Sequence, residues 1–296
     1  MRRGLAIGCG GTLGAAWTVG ALVAVEEALG WDPREAAAMI GTSAGAEFVT
    51  VLGGGVGVGE LLDAQLGKPE ARSELRAHLA AAPGRFPPVP RFRVGSPKLL
   101  RANASPMTRA SGLLPIGRGD ASWLAELAGA FAPTGWVAHP SAWVVGVDYD
   151  TGERVAFGSP GAPEARLADA IRASWAIPGW FPPVEIGGRR YIDGGAASPA
   201  SVDLLPDDLD EIVVLAPMTS SESVPAKGFS RFERLLRTPM TRRLDAEIAA
   251  RGTRVLRLEP GPEDLAVLGA NFMDGRRRRR ALETALRTTR AKAAAW

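Results

Sequence analysis

The amino-acid sequence predicts an α/β fold in which a mostly parallel central sheet is flanked by helices. Short apolar runs alternate with longer helical stretches through the first sixty residues, and glycines mark the turns between them. Such alternation indicates parallel strands whose sheet is covered on both faces. With 296 residues, 46% hydrophobic and 23% charged, the chain is able to bury a substantial core. We expect residues 1–296 to form a single domain.

The predicted elements follow one another in chain order. An apolar run at 5–7 predicts the first strand, and the Ala-, Val- and Leu-rich stretch 15–29 predicts a helix that ends at Gly30. A second strand is predicted at 38–40, followed by a helix that extends to Leu52. The later candidates are strands at 142–147, 154–157, 211–215 and 253–258 and helices at 167–174 and 232–250.

A basic, proline-rich segment around residues 75–119 interrupts this alternation. It contains eight Arg and Lys residues, seven prolines and no Asp or Glu. Its prolines exclude regular structure from most of its length. A long irregular stretch inside a compact domain is usually a functional lid or a disordered insert. The segment is therefore either a solvated basic loop or a cap that lies against an anionic membrane or a substrate headgroup.

The charge balance and the scarcity of Cys and His exclude several functional classes. The 35 basic and 32 acidic residues leave a net charge of +3, which argues against nucleic acid as a partner. One cysteine excludes a disulfide framework and a multi-cysteine zinc site, and two histidines restrict metal chemistry further. We expect neither a metal nor a cofactor.

The segment Gly41-Thr42-Ser43-Ala44-Gly45 matches the pattern G-x-S-x-G. The pattern alone is a weak signal, but here it follows a predicted strand and begins a predicted helix. A sharp strand-to-helix turn exposes the serine hydroxyl, and small neighbours let the backbone bend. The N-terminus of the following helix also favours developing negative charge. Ser43 is therefore the candidate nucleophile, with Gly41 and Gly45 in supporting positions.

An activated serine needs a base, and neither histidine suits this role. In α/β-hydrolases the acid precedes the histidine in the sequence. Here His139 is the last histidine, and it precedes the best carboxylate candidate, Asp193. His78 falls in a predicted loop region. Both histidines are expected to be packing or surface residues.

The best carboxylate candidate ends a strand-like run, Tyr191-Ile192-Asp193-Gly194-Gly195. The two glycines that follow Asp193 have no side chains, so they allow another backbone to approach the carboxylate. An aspartate beside glycines is also common in turns that have no catalytic role. Asp193 is the candidate base, with Gly194 and Gly195 as supporting residues.

A glycine-rich loop follows the first predicted strand. The backbone N–H groups of Gly8, Cys9, Gly10 and Gly11 are unobstructed and able to point at one spot. Such a loop binds phosphate or forms an oxyanion hole by the same physics. The glycine spacing differs from the G-x-G-x-x-G pattern of a dinucleotide site. We therefore favour an oxyanion hole.

Taken together, these motifs resemble the patatin-like phospholipases. In that family a glycine-rich oxyanion loop follows the first strand, G-x-S-x-G follows the next, and a distant D-G-G or D-G-A supplies the acid. The run ASWAIPGWFPPV at 173–184 is also similar to the family segment A-S-x-A-x-P-x-x-F-P-P. The likeness spans about residues 4–215. It implies a three-layer architecture and a Ser–Asp dyad without histidine.

Matched residue by residue, the resemblance implies that Ser43 is the nucleophile, Asp193 the general base and the loop 8–11 the oxyanion hole. The implied function is a serine lipid acyl hydrolase of the phospholipase A or lysophospholipase type, acting on a lipid or acyl ester. One alternative is a general carboxylesterase on the same dyad. A second is a catalytically silent lipid-binding or regulatory protein, because Leu13 stands where the family commonly has a basic loop residue and Cys9 replaces a glycine.

Both ends of the chain carry ambiguous signals. Residues 1–25 resemble a secretory signal, but too few apolar residues precede the glycines, and a glycine-rich stretch is a poor membrane-spanning helix. The arginine run 276–280 indicates a solvated charged helix, with anionic lipid or nucleic acid as alternative contacts.

The Ala-, Arg- and Gly-rich usage is typical of a GC-rich bacterial genome. We expect a cytoplasmic location, with peripheral contact at the inner membrane surface through the basic segments.

Overall fold

The computed structural model describes residues 1–221 and 230–296. Its strands are β1 (Arg3–Ile7), β2 (Ala38–Thr42), β3 (Ala142–Asp148), β4 (Arg154–Phe157), β5 (Val184–Ile186), β6 (Arg189–Asp193), β7 (Glu211–Leu215) and β8 (Arg254–Leu258). Its α-helices are α1 (Gly11–Leu29), α2 (Ala44–Gly53), α3 (Val58–Leu66), α4 (Ser73–Ala80), α5 (Pro106–Ser111), α6 (Ser122–Phe131), α7 (Leu167–Ser174), α8 (Ser230–Arg251), α9 (Pro262–Leu268) and α10 (Arg278–Ala293).

All of these strands belong to one sheet, in the order β5-β6-β3-β2-β1-β7-β8, with β4 paired to β3. The run from β3 through β2, β1 and β7 to β8 is parallel. The strands β4, β5 and β6 form antiparallel pairs at one side of the sheet. The predicted mostly parallel sheet is therefore confirmed.

Alternate residues of the central strands pack on opposite faces of the sheet. In β1, Leu5 and Ile7 belong to one apolar cluster, and Ala6 belongs to another. The first cluster includes residues of α1, α2, α6, α7 and α10, and the second includes Leu244 of α8. The sheet is therefore covered by helices on both of its faces, which gives three layers.

Helix α1 is buried over most of its length. Residues 11–25 are all buried, and the ideal Cβ position of Gly20 lies only 2.7 Å from the Cβ of Ala285 on α10. The Thr289 hydroxyl of α10 also donates to the Gly20 carbonyl at 3.1 Å. By length and composition alone α1 is able to cross a membrane, but 78% of its apolar window is buried inside the fold. Gly20 therefore allows α1 to pack closely against α10.

The structure refines the predicted bounds of the basic segment. Helix α4 continues to Ala80, so the irregular stretch begins at residue 81 rather than 75. His78 therefore lies on a helix, contrary to the predicted loop, because Leu75 is buried and fixes one face of α4. The predicted helix at 167–174 matches α7, and the predicted strands at 154–157 and 211–215 match β4 and β7.

The segment from 81 to 119 has an ordered base. Residues 91–96 and 112–116 run antiparallel and exchange backbone hydrogen bonds, such as Gly95 to the Leu114 carbonyl at 3.0 Å. The Ser96 hydroxyl donates to Asp150 at 2.7 Å, and the Thr108 hydroxyl donates to the Ala196 carbonyl at 2.8 Å. We call residues 81–119 the cap, because these contacts hold it beside the chain that follows Asp193.

Candidate active site

Strand register brings the predicted site residues to one edge of the sheet. Ile7 lies opposite Gly41, and Thr42 lies opposite Val145. On the other side of β3, Asp193 lies opposite Gly146, the residue after Val145. The chain therefore leaves β2 at Ser43 and leaves β6 after Asp193 at nearly the same level of the sheet. The loop that follows β1 begins at this edge as well.

The turn at Ser43 has a strained backbone. Ser43 has φ 56° and ψ −120°, a conformation that a non-glycine residue rarely adopts. A Cβ at Gly41 would lie 2.3 Å from the Gly45 carbonyl oxygen, and a Cβ at Gly45 would lie 1.9 Å from the Ile7 carbonyl oxygen. Both glycines of the G-x-S-x-G pattern are thus required by close backbone contact. Helix α2 starts at Ala44, so its N-terminus lies directly behind Ser43.

A buried hydrogen bond from α7 holds this turn. The Ser43 backbone N–H donates to the Ser174 hydroxyl at 2.8 Å, and both residues are at most 2% exposed. Ser174 is the last residue of α7, and it lies within the segment 173–184 that carries the family resemblance. Ser174 cannot be assigned this role from the sequence alone, because its partner is 131 residues away in the chain.

We predict that Ser174→Ala slows the chemistry at Ser43 more than it weakens substrate binding. The substitution leaves a buried N–H without its acceptor, which costs about 1–3 kcal/mol of folding free energy. A misplaced nucleophile lowers turnover, and we expect kcat to fall roughly 10- to 100-fold. Steady-state kinetics on a soluble ester and thermal unfolding test this.

A matched control for Ser174→Ala is Thr50→Ala. The Thr50 hydroxyl is equally buried on α2 and donates to the Ala46 carbonyl at 2.9 Å. Its removal is expected to leave kcat near the wild-type value. A Ser174→Ala protein with unchanged kcat would show that the hydrogen bond does not position Ser43.

The carboxylate of Asp193 is buried and close to the Ser43 hydroxyl. Its side chain is 5% exposed, and Oδ1 accepts the Gly195 N–H at 2.7 Å. Burial raises the pKa of Asp193 from 3.8 to about 7, although hydrogen bonds from the Gly195 N–H and the Ser43 hydroxyl oppose the rise. A carboxylate with such a pKa is a competent general base near neutral pH.

The two glycines after Asp193 shape the path of the chain. A Cβ at Gly194 would lie 2.7 Å from the Val145 carbonyl oxygen and 2.9 Å from the Thr42 side chain. A Cβ at Gly195 would lie 3.0 Å from Asp193 Oδ1 and 3.2 Å from Cys9 Sγ. The chain therefore crosses β3 towards Ser43, and a larger residue at either position would push the Asp193 carboxylate away from Ser43.

The glycine-rich loop contains two kinds of backbone amide. The N–H groups of Gly8 and Cys9 donate to the carbonyls of Leu215 and Pro199, both at 2.8 Å. These two amides hold the loop in place and are not available to a substrate, which corrects the expectation of four donors. The N–H groups of Gly10 and Gly11 have no acceptor within residues 1–221 and 230–296. Gly11 has φ +56° and begins α1.

Cys9 does not compete with Ser43 as a nucleophile. The thiol is 6% exposed, and its burial together with the nearby Asp193 carboxylate strongly raises its pKa. A neutral thiol is a poor nucleophile. Cys9 therefore acts as a small apolar side chain that packs beside Gly195.

A cavity of about 500 Å³ opens onto Ser43 and Asp193. Its volume lies within the range of small-molecule binding sites. Four of the six methionines line it, and these unbranched side chains adapt to flexible apolar ligands. These methionines come from distant parts of the chain, so no sequence pattern identifies them as neighbours: Met107, Met218, Met240 and Met273. The cavity suits an extended hydrocarbon chain.

Both histidines are engaged with other groups. His139 Nε2 lies 2.8 Å from the Ala36 carbonyl oxygen, and Nδ1 accepts the Ser141 N–H at 3.1 Å. His78 Nε2 lies 2.6 Å from a Glu47 carboxylate oxygen. Among the described residues no hydrogen bond joins either ring to Ser43. The same residues contain no cluster of three or more His, Cys, Asp or Glu side chains that would bind a metal.

Comparison with known proteins gives a family match. The family model described as patatin-like phospholipase matches residues 5–206. Among solved structures, the crystal structure of VipD from Legionella pneumophila is similar at 15% sequence identity and a TM-score of 0.46, covering 99% of this chain and 67% of VipD. No curated protein matches the sequence.

Proposed function

Because the chain belongs to the patatin-like phospholipase family, we propose that it is a serine lipid acyl hydrolase that uses Ser43 and Asp193 as a dyad. Family membership supports lipid hydrolysis. The observation that supports the dyad is the strained Ser43 turn beside a buried carboxylate with a pKa of about 7. Both residues line a cavity with space for an acyl chain. We further propose that residues 1–296 work as one hydrolase domain.

In the proposed first step, the Ser43 oxygen attacks the ester carbonyl carbon while Asp193 accepts the hydroxyl proton. The N–H groups of Gly10 and Gly11 donate hydrogen bonds to the oxygen that becomes negative. The tetrahedral intermediate then breaks its bond to the alcohol, and Asp193 returns the proton to that alcohol. The products of this step are the free alcohol and an acyl group on Ser43.

In the proposed second step, water attacks the acyl-enzyme. Asp193 accepts a proton from the water as its oxygen bonds to the carbonyl carbon. The bond to Ser43 then breaks, the Ser43 oxygen regains the proton, and the fatty acid leaves. The same carboxylate therefore serves as base and acid in both halves of the reaction.

The glycine-rich loop is held in place although Leu13 stands where the family commonly has a basic residue. The Leu13 side chain is fully buried, and its N–H donates to the Phe272 carbonyl at 2.8 Å. Pro217 packs against the loop at Gly10 and against α1 at Gly14. Arg237 donates to the Pro217 carbonyl at 2.8 Å and lies over the Phe272 ring at 5.0 Å. These contacts favour an active enzyme over a silent lipid-binding protein.

A lipid ester is the proposed substrate, and a membrane surface its source. The apolar cavity favours a long acyl chain over the small esters of a general carboxylesterase. Three arginines of the run 276–280 make contacts within the fold. Arg276 pairs with Asp274 at 2.7 Å, and Arg279 pairs with Glu283 at 2.8 Å. Arg278 donates to the Leu79 carbonyl at 3.1 Å. This run therefore serves the fold, and we expect no nucleic-acid partner.

A fluorophosphonate probe tests the dyad directly. We expect the probe to modify Ser43, as mapped by peptide mass spectrometry, and the modification to be lost in Asp193→Asn because the hydroxyl then has no base. Ser174→Ala should label more slowly. A folded wild-type protein that does not react would instead favour the silent lipid-binding alternative.

A further inference from the structure

The cap carries almost all of the exposed large apolar side chains. Apart from Met1, every such side chain within residues 1–221 and 237–296 lies between 86 and 114. Phe92 is fully exposed at 103%, and Val89 is 73% exposed. The others are Phe86, Val94, Leu100, Leu113 and Leu114. An apolar patch of this kind on a folded protein marks an interaction surface.

The same segment of the chain is strongly cationic. No acidic residue occurs between 75 and 119. The side chains of Arg91 and Arg93 are exposed and have no carboxylate partner among the described residues. Both line an open cleft of about 650 Å³ together with Arg190. Further arginines without an ion-pair partner in the described part of the chain stand nearby in the sequence, namely Arg101, Arg109 and Arg118.

The cap presents these side chains from a fixed base. The ladder between 91–96 and 112–116 sets the positions of the arginines and of Val94, Leu113 and Leu114. Arg190 donates to the Gly95 carbonyl at 3.3 Å, and the Gly119 N–H donates to the Trp180 carbonyl at 2.8 Å. The ladder therefore fixes the backbone from which Arg91, Phe92 and Arg93 are exposed.

The surface also adjoins the candidate active site. Arg85, Phe86 and Leu114 line the cavity that contains Ser43 and Asp193. Arg85 lies over the ring of its neighbour Phe86 at 4.7 Å. The exposed side chains therefore continue from the rim of the catalytic cavity onto the outer face of the cap. A molecule bound on this face is adjacent to the cavity entrance.

We propose that residues 85–118 dock the protein onto an anionic lipid bilayer. Phe92, Val89 and Phe86 enter the boundary between headgroups and acyl chains, and Arg91 and Arg93 contact lipid phosphates. Exposed apolar groups flanked by unpaired cations complement such a surface, whereas a neutral bilayer lacks the charge. The inference rests on the proposed function in one respect, because docking here delivers a lipid ester to Ser43.

Vesicle binding by the Ser43→Ala protein tests the proposal without hydrolysing the lipid. We expect co-sedimentation with phosphatidylcholine vesicles that contain phosphatidylglycerol, weaker binding to phosphatidylcholine alone, and a steep loss of binding with added salt. Arg91→Gln/Arg93→Gln should weaken anionic binding about 30-fold. Val89→Ser/Phe92→Ser should weaken it at least about tenfold. All four side chains are exposed, so these variants keep the fold.

Arg166→Gln/Arg280→Gln is the matched control, because it removes the same charge at two other exposed arginines that have no carboxylate partner among the described residues. Its binding should stay within about twofold of the parent protein. An equal loss in this control, or equal binding to neutral and anionic vesicles, would overturn the proposal. Absence of binding would do so as well.

A soluble short-chain ester separates docking from catalysis. Neither cap pair lines the catalytic cavity, so both variants made in the active enzyme should hydrolyse this ester at the wild-type rate while losing activity on anionic vesicles. A wild-type protein that binds vesicles but cleaves neither substrate refutes the proposed function and leaves docking supported. A cap variant that loses both activities contradicts docking as its role.

Discussion

Ser43→Ala is expected to lower turnover of a lipid ester by at least about 10⁴-fold while the protein stays folded. The substitution removes the only atom that forms the proposed acyl-enzyme. The structural cost of the substitution is small, because the Ser43 side chain caps no helix. The hydrogen bond that is lost is the one to Asp193. The Ser174 hydroxyl still accepts the backbone N–H of residue 43, so the turn keeps its shape.

Ser43→Gly separates the chemistry from the backbone strain at this position. Glycine adopts the observed φ of 56° at little cost, whereas alanine and serine do not. We expect Ser43→Gly to be inactive as well, but about 1 kcal/mol more stable than Ser43→Ala. Ester hydrolysis and thermal unfolding of the three proteins provide the measurements. Residual activity above about one per cent in either variant would exclude Ser43 as the nucleophile.

The sequence was sufficient to predict a mostly parallel sheet, and the structure brings the candidate residues Ser43 and Asp193 to one edge of it. Central strands that are buried on both faces are short apolar runs in the sequence, which is why β7 could be placed to the residue. Close backbone contacts leave no space for a Cβ at Gly41, Gly45 or Gly194. At Gly195 a Cβ would instead meet the side chains of Asp193 and Cys9. Where local steric contacts restrict a position to glycine, the sequence pattern predicts the local geometry.

Interactions between distant residues were not predictable in the same way. The sequence does not show which backbone amides of the glycine-rich loop are free. Those of Gly8 and Cys9 are not, because they donate to the carbonyls of Leu215 and Pro199. The hydrogen bond from Ser43 to Ser174 likewise depends on where α7 ends. The cap is similar, because its proline content predicts irregular structure but not the ladder that orders its base.

Asp193→Asn is expected to reduce activity about 10³-fold and to abolish its dependence on pH near neutrality. Because the pKa of Asp193 is raised to about 7, the wild-type base is protonated at lower pH. The kcat/KM of the wild type should therefore rise about tenfold per pH unit up to pH 7 and then level off. Asparagine accepts no proton in this range, so the variant should show a flat profile between pH 5 and 8.

The stability of the wild-type protein is expected to fall as the pH rises towards 7, whereas its activity rises. The folded-state pKa of about 7 exceeds the ordinary value of 3.8, so the folded protein binds the proton more tightly than the unfolded chain. This contribution to folding is fully present below pH 4 and is lost as the pH rises to 7, at about 1.4 kcal/mol per unit. Asparagine avoids the cost of burying a charge, so Asp193→Asn should be more stable than the wild type above pH 7, by a few kcal/mol.

Asp148→Asn is the matched control for this stability gain. Asp148 is also buried, but its carboxylate accepts the N–H groups of Asp150 and Thr151 and pairs with Arg189 at 2.9 Å. Its neutralisation removes an ion pair and should destabilise the protein at the same pH. Unfolding curves at pH 5 and 8 distinguish the two sites. An Asp193→Asn protein that is less stable at pH 8 would mean that the carboxylate serves the fold, whereas a gain in stability with lost activity is what a buried catalytic base requires.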